Sequence, residues 1–177
     1  MADKPTSAAL QGIAVVWMYR VAKDETKEAA WGLAYTTENG YSKSKDSDST
    51  ATKDGAVVTP SGGETTANAT TLYKIGDKNI DKMEDAFDKN ELMQLWRINT
   101  KEKGEGADAD KFKAKYFEGY LTSFEETDTA EDNVEYSLEF GLNGNGVNGY
   151  ATFDLETATA EAYKFKDTAK VETAPAG

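Results

Sequence analysis

The sequence contains no cysteine and no histidine. Without cysteine, disulfide bonds, thiolate metal sites and thiol nucleophiles are excluded. Without histidine, the chain lacks the commonest general base, the commonest zinc ligand and the base of a serine triad. These two absences remove most of the chemistry by which an enzyme or a metal centre is recognised in a sequence, and no cofactor is expected.

Long apolar runs are also missing. The longest lies near residues 13–19 and is far too short to cross a bilayer. The N-terminus, Met1 to Pro5, has no basic region followed by an apolar stretch, so no secretory signal is expected. Hydrophobic residues make up only 38% of the chain, which indicates long polar loops or surface buried against other copies. We expect a soluble protein, made in a cytoplasm, with no membrane anchor.

Positive charge is scarce. The chain carries 32 acidic and 20 basic residues and a net charge of −12. Such a surface repels nucleic acid and anionic membranes. The charge argues against a protein that grips nucleic acid, but not against one that lets nucleic acid pass without sticking.

Alternation of apolar and polar residues predicts a mainly antiparallel β fold. Ile13, Val15, Trp17, Tyr19 and Val21 would share one face of the first strand. Further strands are predicted over residues 31–35, 65–75, 92–99, 112–124, 134–142 and 147–153, and the glycines and asparagines at 143–146 predict a tight hairpin turn between the last two.

One amphipathic helix is predicted after Asp77, which is placed as an N-cap. Ile80, Met83 and Phe87 recur at helical spacing and would form its buried face. Together the elements predict a single domain over residues 1–177, an antiparallel β-sandwich or barrel with one flanking α-helix and a long extended loop.

Two segments are too polar to build a core. Residues 42–54, SKSKDSDSTATKD, contain Ala51 as their only apolar residue, so we expect this loop to be mobile in the free chain. It is either plainly disordered or becomes ordered when it docks on another subunit. The region after Asp154 is rich in Ala and Thr and predicts a flexible arm over about 154–177, with a short element at 163–165.

Four possible binding or catalytic features have weak support. Asp and Glu pairs can catalyse hydrolysis, but a solvated acidic surface is the better interpretation of so many carboxylates. Asp46, Asp48, Thr50 and Thr52 resemble the start of a calcium-binding EF-hand loop, yet the sixth position is Ala51 instead of glycine and the twelfth is not Glu.

The remaining two features concern sugars and phosphates. The three tryptophans, Trp17, Trp31 and Trp96, could stack on sugar rings, but their positions in alternating apolar faces favour core packing. The glycine-rich stretches 61–63 and 143–146 lack the lysine and helix of a phosphate-binding loop.

Four segments carry a resemblance to a known family, in the family's order: SKSKDSDSTATKDG at 42–55, KNIDKMEDAF at 78–87, FEGYLTSFEETDTAEDNVEYSLEFGLNGNGVNGYAT at 117–152 and YKFKDT at 163–168. They resemble the major tail proteins, or tail tube proteins, of siphophages that infect Gram-positive bacteria. The resemblance covers most of the chain.

The resemblance implies a structural, non-enzymatic virion protein of the phage tail that is assembled in the host cytoplasm. It implies stacked, hexameric rings in the family's members and a tube through which DNA passes during ejection without specific binding. It also implies a stacking loop at about 36–60 and hairpin strands within 134–153. The implied stacking-loop residues are Lys43, Lys45, Asp46, Asp48, Thr50, Lys53 and Asp54.

Alternation within the predicted strand at 134–142 places Glu135, Ser137 and Glu139 opposite the core face, where they could line the lumen. Besides further copies of itself, the family's members imply tape measure, tail tip and tail terminator proteins as partners. Other functions left open are a monomeric carbohydrate-binding or decoration module, the tube protein of a related contractile or secretion system, and a carboxylate-dependent hydrolase.

Overall fold

The computed structural model describes residues 8–154. Six strands form one antiparallel sheet in the order β1-β4-β5-β6-β3-β2. Short 3-10 turns lie at Gly12–Ala14, Ala22–Asp24 and Gly106–Asp108. The strands and the helix are β1 (Val15–Val21), β2 (Thr36–Thr52), β3 (Gly55–Leu72), α1 (Lys78–Asp88), β4 (Met93–Lys103), β5 (Phe112–Thr127) and β6 (Glu135–Ala151).

The sheet curls so that its two ends meet. Strands β1 and β2 stand at opposite ends of the strand order, yet the rings of Trp17 and Tyr41 are 6.3 Å apart. Tyr19 of β1 likewise stacks on Phe140 of β6 at 5.7 Å. The mainly β, antiparallel fold with one helix predicted from alternation is therefore confirmed, and its sandwich character comes from one sheet folding over itself.

The core lies inside this curl, because alternate residues of every strand point inward. Tyr19, Met93, Leu95, Phe117 and Phe140 are each at most 1% exposed. A smaller cluster lies apart from this core, around Ile98, Phe112 and Ala114, and is flanked by half-buried side chains, namely Met18, Trp96, Ala151 and Phe153.

Helix α1 begins as its sequence predicts, but its buried face differs at one position, because Phe87, expected on that face, is 36% exposed. The Asp77 carboxylate accepts a hydrogen bond from the backbone N–H of Asn79 at 2.9 Å, which satisfies one of the free donors of the first turn. Ile80, Met83 and Ala86 are buried against the sheet, and the helix contacts β5, where Phe87 lies 6.5 Å from Phe124. No helix within residues 8–154 is long and apolar enough to span a bilayer.

The polar segment at residues 42–54 forms a hairpin, whereas its composition predicts no regular structure. Residues 42–52 belong to β2, which pairs along its whole length with β3, and Lys53 and Asp54 make the turn. The expectation was wrong because antiparallel strands are held by backbone hydrogen bonds, which do not require apolar side chains. Threonine and serine side chains also tolerate strand geometry well.

Residues 143–146 were expected to form a tight hairpin turn, and this prediction is wrong. Strand β6 continues through them, and both of its halves pair with β5. Tyr116 opposes Val147 and Glu118 opposes Asn143, so the extra residues form a bulge. The positive φ angles expected of Gly144 and Gly146 are present, at 66° and 75°, but they serve the bulge.

Two smaller expectations also fail. Trp31 makes only an isolated bridge with Tyr19, and no strand covers residues 31–35. Ile13 lies in the first 3-10 turn, before β1 begins, and is 91% exposed instead of sharing the buried face. The predicted arm beyond Asp154 and the element at 163–165 lie outside the described residues.

Candidate assembly interface

The most prominent surface feature is a two-stranded ribbon formed by the distal parts of β2 and β3. Strand β3 pairs with β6 only from Thr65 onward, so residues 44–64 have no partner strand within residues 8–154 other than each other. Every residue from 44 to 64 is exposed. Two strands alone are marginally stable in water, so contact with another surface would stabilise this ribbon.

All seven residues proposed for inter-ring stacking lie on this ribbon or at its base. Lys43, Lys45, Asp46, Asp48 and Thr50 lie on β2, and Lys53 and Asp54 form the turn. None of the seven makes an ion pair within residues 8–154. The turn is held by the Thr52 hydroxyl, which donates to the carbonyl of Gly55 at 2.6 Å.

One of the seven reaches back to the sheet. The Lys43 ammonium donates to the carbonyl of Asn145, in the β6 bulge, at 2.5 Å. Desolvation lowers the pKa of Lys43, and the positive charges of Lys115 and Lys45 lower it further. Lys43 thus ties the base of the ribbon to the bulge.

On the side of the sheet opposite the core, strands β6 and β3 present a polar face. Glu135, Ser137 and Glu139 alternate with the buried Tyr136, Leu138 and Phe140 along β6, so the structure places all three on this face. The register sets Ser137 beside Thr70 and Glu139 beside Asn68 of β3. The resulting face carries carboxylates, amides and hydroxyls, which suits contact with water.

The outer edge of β2 has no partner strand in residues 8–154. This strand spans 17 residues, Thr36–Thr52, which leaves a long row of free backbone donors and acceptors. The other end of the sheet differs, because the edge of β1 is partly covered by Trp31, whose backbone exchanges two hydrogen bonds with Tyr19 at 2.7 and 2.8 Å. An unpaired edge of this length is a template for pairing with another chain.

An open apolar groove of about 1050 Å³ was not anticipated from the sequence. It lies between the segments 29–35 and 74–79 and the end of the described chain at 152–154. Its apolar lining includes Met18, Leu33, Ile75 and Phe153, of which Ile75 is 93% exposed. Its walls come from four distant segments, so no local pattern signals it.

The geometry gives little support to a catalytic, metal or sugar site. Within residues 8–154 no three carboxylates are grouped so that they could hold a metal ion, and Asp46 and Asp48 lie on a strand instead of in a calcium-binding loop. Trp17 and Trp31 are 5% and 9% exposed. Trp96 lies under the Arg20 guanidinium, 5.0 Å from its ring centre. The tryptophans therefore form no open stacking platform.

Relatives in sequence come from phages of Gram-positive bacteria. A tail protein of Staphylococcus phage phiMR25 is 36% identical over 149 residues, which cover 82% of this chain and 77% of that protein. A tail tube protein of Bacillus phage SPP1 is 26% identical over 140 residues, which cover 79% of this chain. The match spans 52% of the SPP1 protein, about half its length.

Solved structures share the fold. The SPP1 tail tube structure superposes with a TM-score of 0.75 at 21% identity, covering 93% of this chain and 95% of that one. The tail of an empty gene transfer agent particle, refined with C6 symmetry, gives a TM-score of 0.59 at 10% identity, covering 81% of this chain and 100% of that one. Residues 10–148 match the family model described as phage tail tube protein. The chain belongs to the phage tail tube protein family and is a structural component of the virion.

Proposed function

We propose that this chain polymerises as stacked rings into a phage tail tube whose lumen conducts DNA during ejection, and that it catalyses no reaction. Family membership supports the tube, and the observation that carries the assembly is the unpaired 17-residue edge of β2. A strand edge this long is normally shortened or covered in a monomer. Pairing with a neighbouring copy would cover it.

Closure into a ring follows from repeating the same contact. A head-to-tail contact between identical subunits gives a ring if the rotation closes, and then no edge is left exposed. Six copies are the expected number, on the likeness to the gene transfer agent tail refined with C6 symmetry. The face with Glu135, Ser137 and Glu139 is polar and would form the wall of the lumen.

The lumen wall suits a passing polyanion. Residues 116–154, which include all of β6, contain no lysine or arginine. Phosphates gain no counterion-release contacts on such a surface and are repelled by its carboxylates. DNA would slide without being held.

Stacking is assigned to the ribbon of residues 44–64. It extends about 30 Å beyond the sheet, at about 3.4 Å for each residue of a strand. Its two exposed valines, Val57 and Val58, offer apolar contact area near the tip. Docking on an adjacent ring would bury them and stabilise a ribbon that has no core of its own. Tape measure, tail tip and terminator proteins would meet the finished column of rings.

The test of stacking removes the ribbon without disturbing the sheet. Replacing residues 46–62 by Asn-Gly joins Lys45 to Gly63, which already face each other in the register. We expect the wild-type protein, primed with tail tips, to form tubes of uniform bore in negative-stain electron microscopy. The shortened variant should fold, as judged by circular dichroism, but form no tubes. Normal tubes from that variant would refute the role of the ribbon.

The lumen is tested by charge reversal. Glu135→Lys with Glu139→Lys should slow DNA ejection from phage assembled with the variant, because phosphates would bind the wall. Glu84→Lys with Asp88→Lys on helix α1 makes the same change in net charge on a different surface and serves as control. Equal ejection rates for the two variants would count against a lumen formed by this face.

A related contractile or secretion system is the second candidate. The fold is shared with the anti-feeding prophage baseplate structure, at a TM-score of 0.57 and 5% identity. A tube of that kind has a sheath around it, so co-purification of tubes with a sheath protein would favour this alternative. Tubes without a sheath would favour the siphophage tail.

A further inference from the structure

Three lysines lie together where the ribbon leaves the sheet. Lys43 and Lys45 are on β2 at the base of the ribbon, and Lys115 is on β5. Lys43 donates to the Asn145 carbonyl at 2.5 Å, and Lys115 donates to the side-chain oxygen of Asn148 at 3.2 Å. Both acceptors belong to β6, at or just beyond the bulge. We call these three lysines the basic fork.

The strand register explains why the site opens outward. Strand β3 follows β6 only as far as Leu142, and beyond the bulge β6 continues from Val147 with β5 as its partner. The sheet thus divides into two arms at one end, the ribbon and the distal β5–β6 pair. The basic fork occupies the division between them.

The basic fork has no counterion within residues 8–154. None of its lysines makes an ion pair in the part of the chain that the structure describes, whereas Lys111 and Lys113 nearby are paired with Asp108 and Glu102. The charges that act on Lys43 are those of Lys115 and Lys45. Three like charges held together in a chain of net charge −12 favour an anionic partner.

The opposite end of the paired strands β5 and β6 is acidic. The turn between β5 and β6, taken with the strand ends that flank it (residues 125–135), carries six carboxylates: Glu125, Glu126, Asp128, Glu131, Asp132 and Glu135. None of them has an ion pair within residues 8–154. From Lys115 to Thr127 the strand measures about 40 Å, at about 3.3 Å per residue. We call residues 125–135 the acidic turn.

We propose that the basic fork of one subunit receives the acidic turn of a second copy in the next ring, so that charge fixes the direction in which rings add. The inference rests on the proposed stacking. A filament of identical subunits needs a contact between two different surfaces, and these two lie at opposite ends of one strand pair with opposite charge. A ring approaching the wrong way round would bring like charges together and be repelled.

The experiment is a charge swap. Lys43→Glu with Lys115→Glu, the lysine variant, changes the net charge of the basic fork from +3 to −1 and makes both ends acidic. Glu125→Lys with Asp128→Lys, Glu131→Lys and Asp132→Lys, the carboxylate variant, changes the net charge of the acidic turn from −6 to +2 and makes both ends basic. The six-site variant combines these two swaps and restores opposite charge with the signs exchanged. Lys78→Glu with Lys89→Glu on helix α1 is the matched control for the lysine variant. Elongation from tail tips is followed by light scattering and electron microscopy, and folding by circular dichroism.

Each of the two swaps should raise the protein concentration needed for elongation about tenfold, because attraction between the two ends becomes repulsion and each reversed charge pair is worth a few-fold. The six-site variant should elongate at a lower concentration than either swap, and the control should remain within about twofold of wild type. A lysine variant that elongates like the control, or a folded six-site variant that elongates no better than either swap, would overturn the proposal.

Two further outcomes separate this proposal from others. Binding of duplex DNA is measured by fluorescence anisotropy. If DNA binds the wild-type protein but not the lysine variant, and that variant elongates normally, the basic fork is a nucleic-acid site and the proposal is overturned. Tubes from every variant alike would refute only the contact between fork and turn. Failure of the wild-type protein itself to form tubes would refute the proposed function as well.

Discussion

Phe117 closes the curled sheet, and its removal should unfold much of the molecule. Its ring stacks on Trp17 of β1 at 6.2 Å and lies 5.3 Å from the ring of Tyr41 on β2. These two strands share no backbone hydrogen bonds and meet only through side chains. Phe117→Ala therefore removes the group that lies against both ends of the sheet.

The magnitude follows from burial and from the two ring contacts. Phe117 is 1% exposed, and a buried Phe→Ala change costs about 3–5 kcal/mol. Each aromatic pair adds about 0.5–1.5 kcal/mol beyond its buried area, so we expect a loss near the upper end, about 5 kcal/mol. This corresponds to a fall in Tm of about 10–20 °C. Phe117→Leu keeps most of the volume and should cost about 2 kcal/mol.

The assay is urea denaturation of unassembled protein followed by tryptophan fluorescence, since Trp17 stacks directly on the mutated ring. Tyr120→Ala is the control, because Tyr120 lies three residues away on β5 but is 44% exposed. A loss below about 1.5 kcal/mol for Phe117→Ala, or a loss for Tyr120→Ala as large, would refute the assignment of Phe117 as the group that closes the sheet.

Three further predictions concern the bulge, the helix cap and a tyrosine. Gly146→Ala should lower the free energy of unfolding by about 2–4 kcal/mol in urea denaturation, and Gly144→Ala by only about 1 kcal/mol. Both glycines have positive φ, but a Cβ at Gly146 would lie 2.5 Å from the Phe117 ring, whereas a Cβ at Gly144 would meet nothing within 4 Å. Equal losses for the two variants would contradict this. Asp77→Ala should lower the free energy of unfolding, measured by thermal denaturation, by about 0.5–2 kcal/mol, because the N-cap hydrogen bond to Asn79 is lost. Asp88→Ala, at the other end of the helix, should lower it less in the same assay. Burial raises the pKa of Tyr116 to about 12, helped by its 2.6 Å hydrogen bond to Glu118, so the folded state holds this proton more tightly than the unfolded chain. Stability should then fall as pH rises from about 10 through about 12, and the fall in urea midpoint should be shallower in Tyr116→Phe; identical pH profiles would disprove the shift.

Local pattern was enough to predict the elements that bury one face. Alternation predicts that Trp17, Tyr19 and Val21 share one face of a strand. The N-cap at Asp77, followed by Ile80 and Met83 at helical spacing, predicts where helix α1 begins. These features could be predicted because each depends on one element alone. Strand pairing was harder. Gly144 and Gly146 have positive φ angles in the bulge, as they would in a hairpin turn, and only pairing with β5 distinguishes the two structures.

The candidate interface was only partly predictable. Alternation alone placed Glu135, Ser137 and Glu139 opposite the core. The sequence did not predict that the ribbon is a β structure, because backbone hydrogen bonds hold its two strands together and amino-acid composition does not reveal them. The basic fork joins β2 to β5 and β6, so Lys43 and Lys115 are neighbours only after the whole sheet has formed. No spacing in the sequence shows that contact.

The paired register of β2 and β3 limits how the ribbon can change in length. A residue gained on each strand moves the turn at Lys53 and Asp54 outward by about 3.4 Å, but it also rotates the side chains at the tip to the other side. Two residues gained on each strand move the turn by about 7 Å and preserve its orientation. In related chains whose ribbon tips make the same contact, the ribbon should therefore differ in length by multiples of four residues.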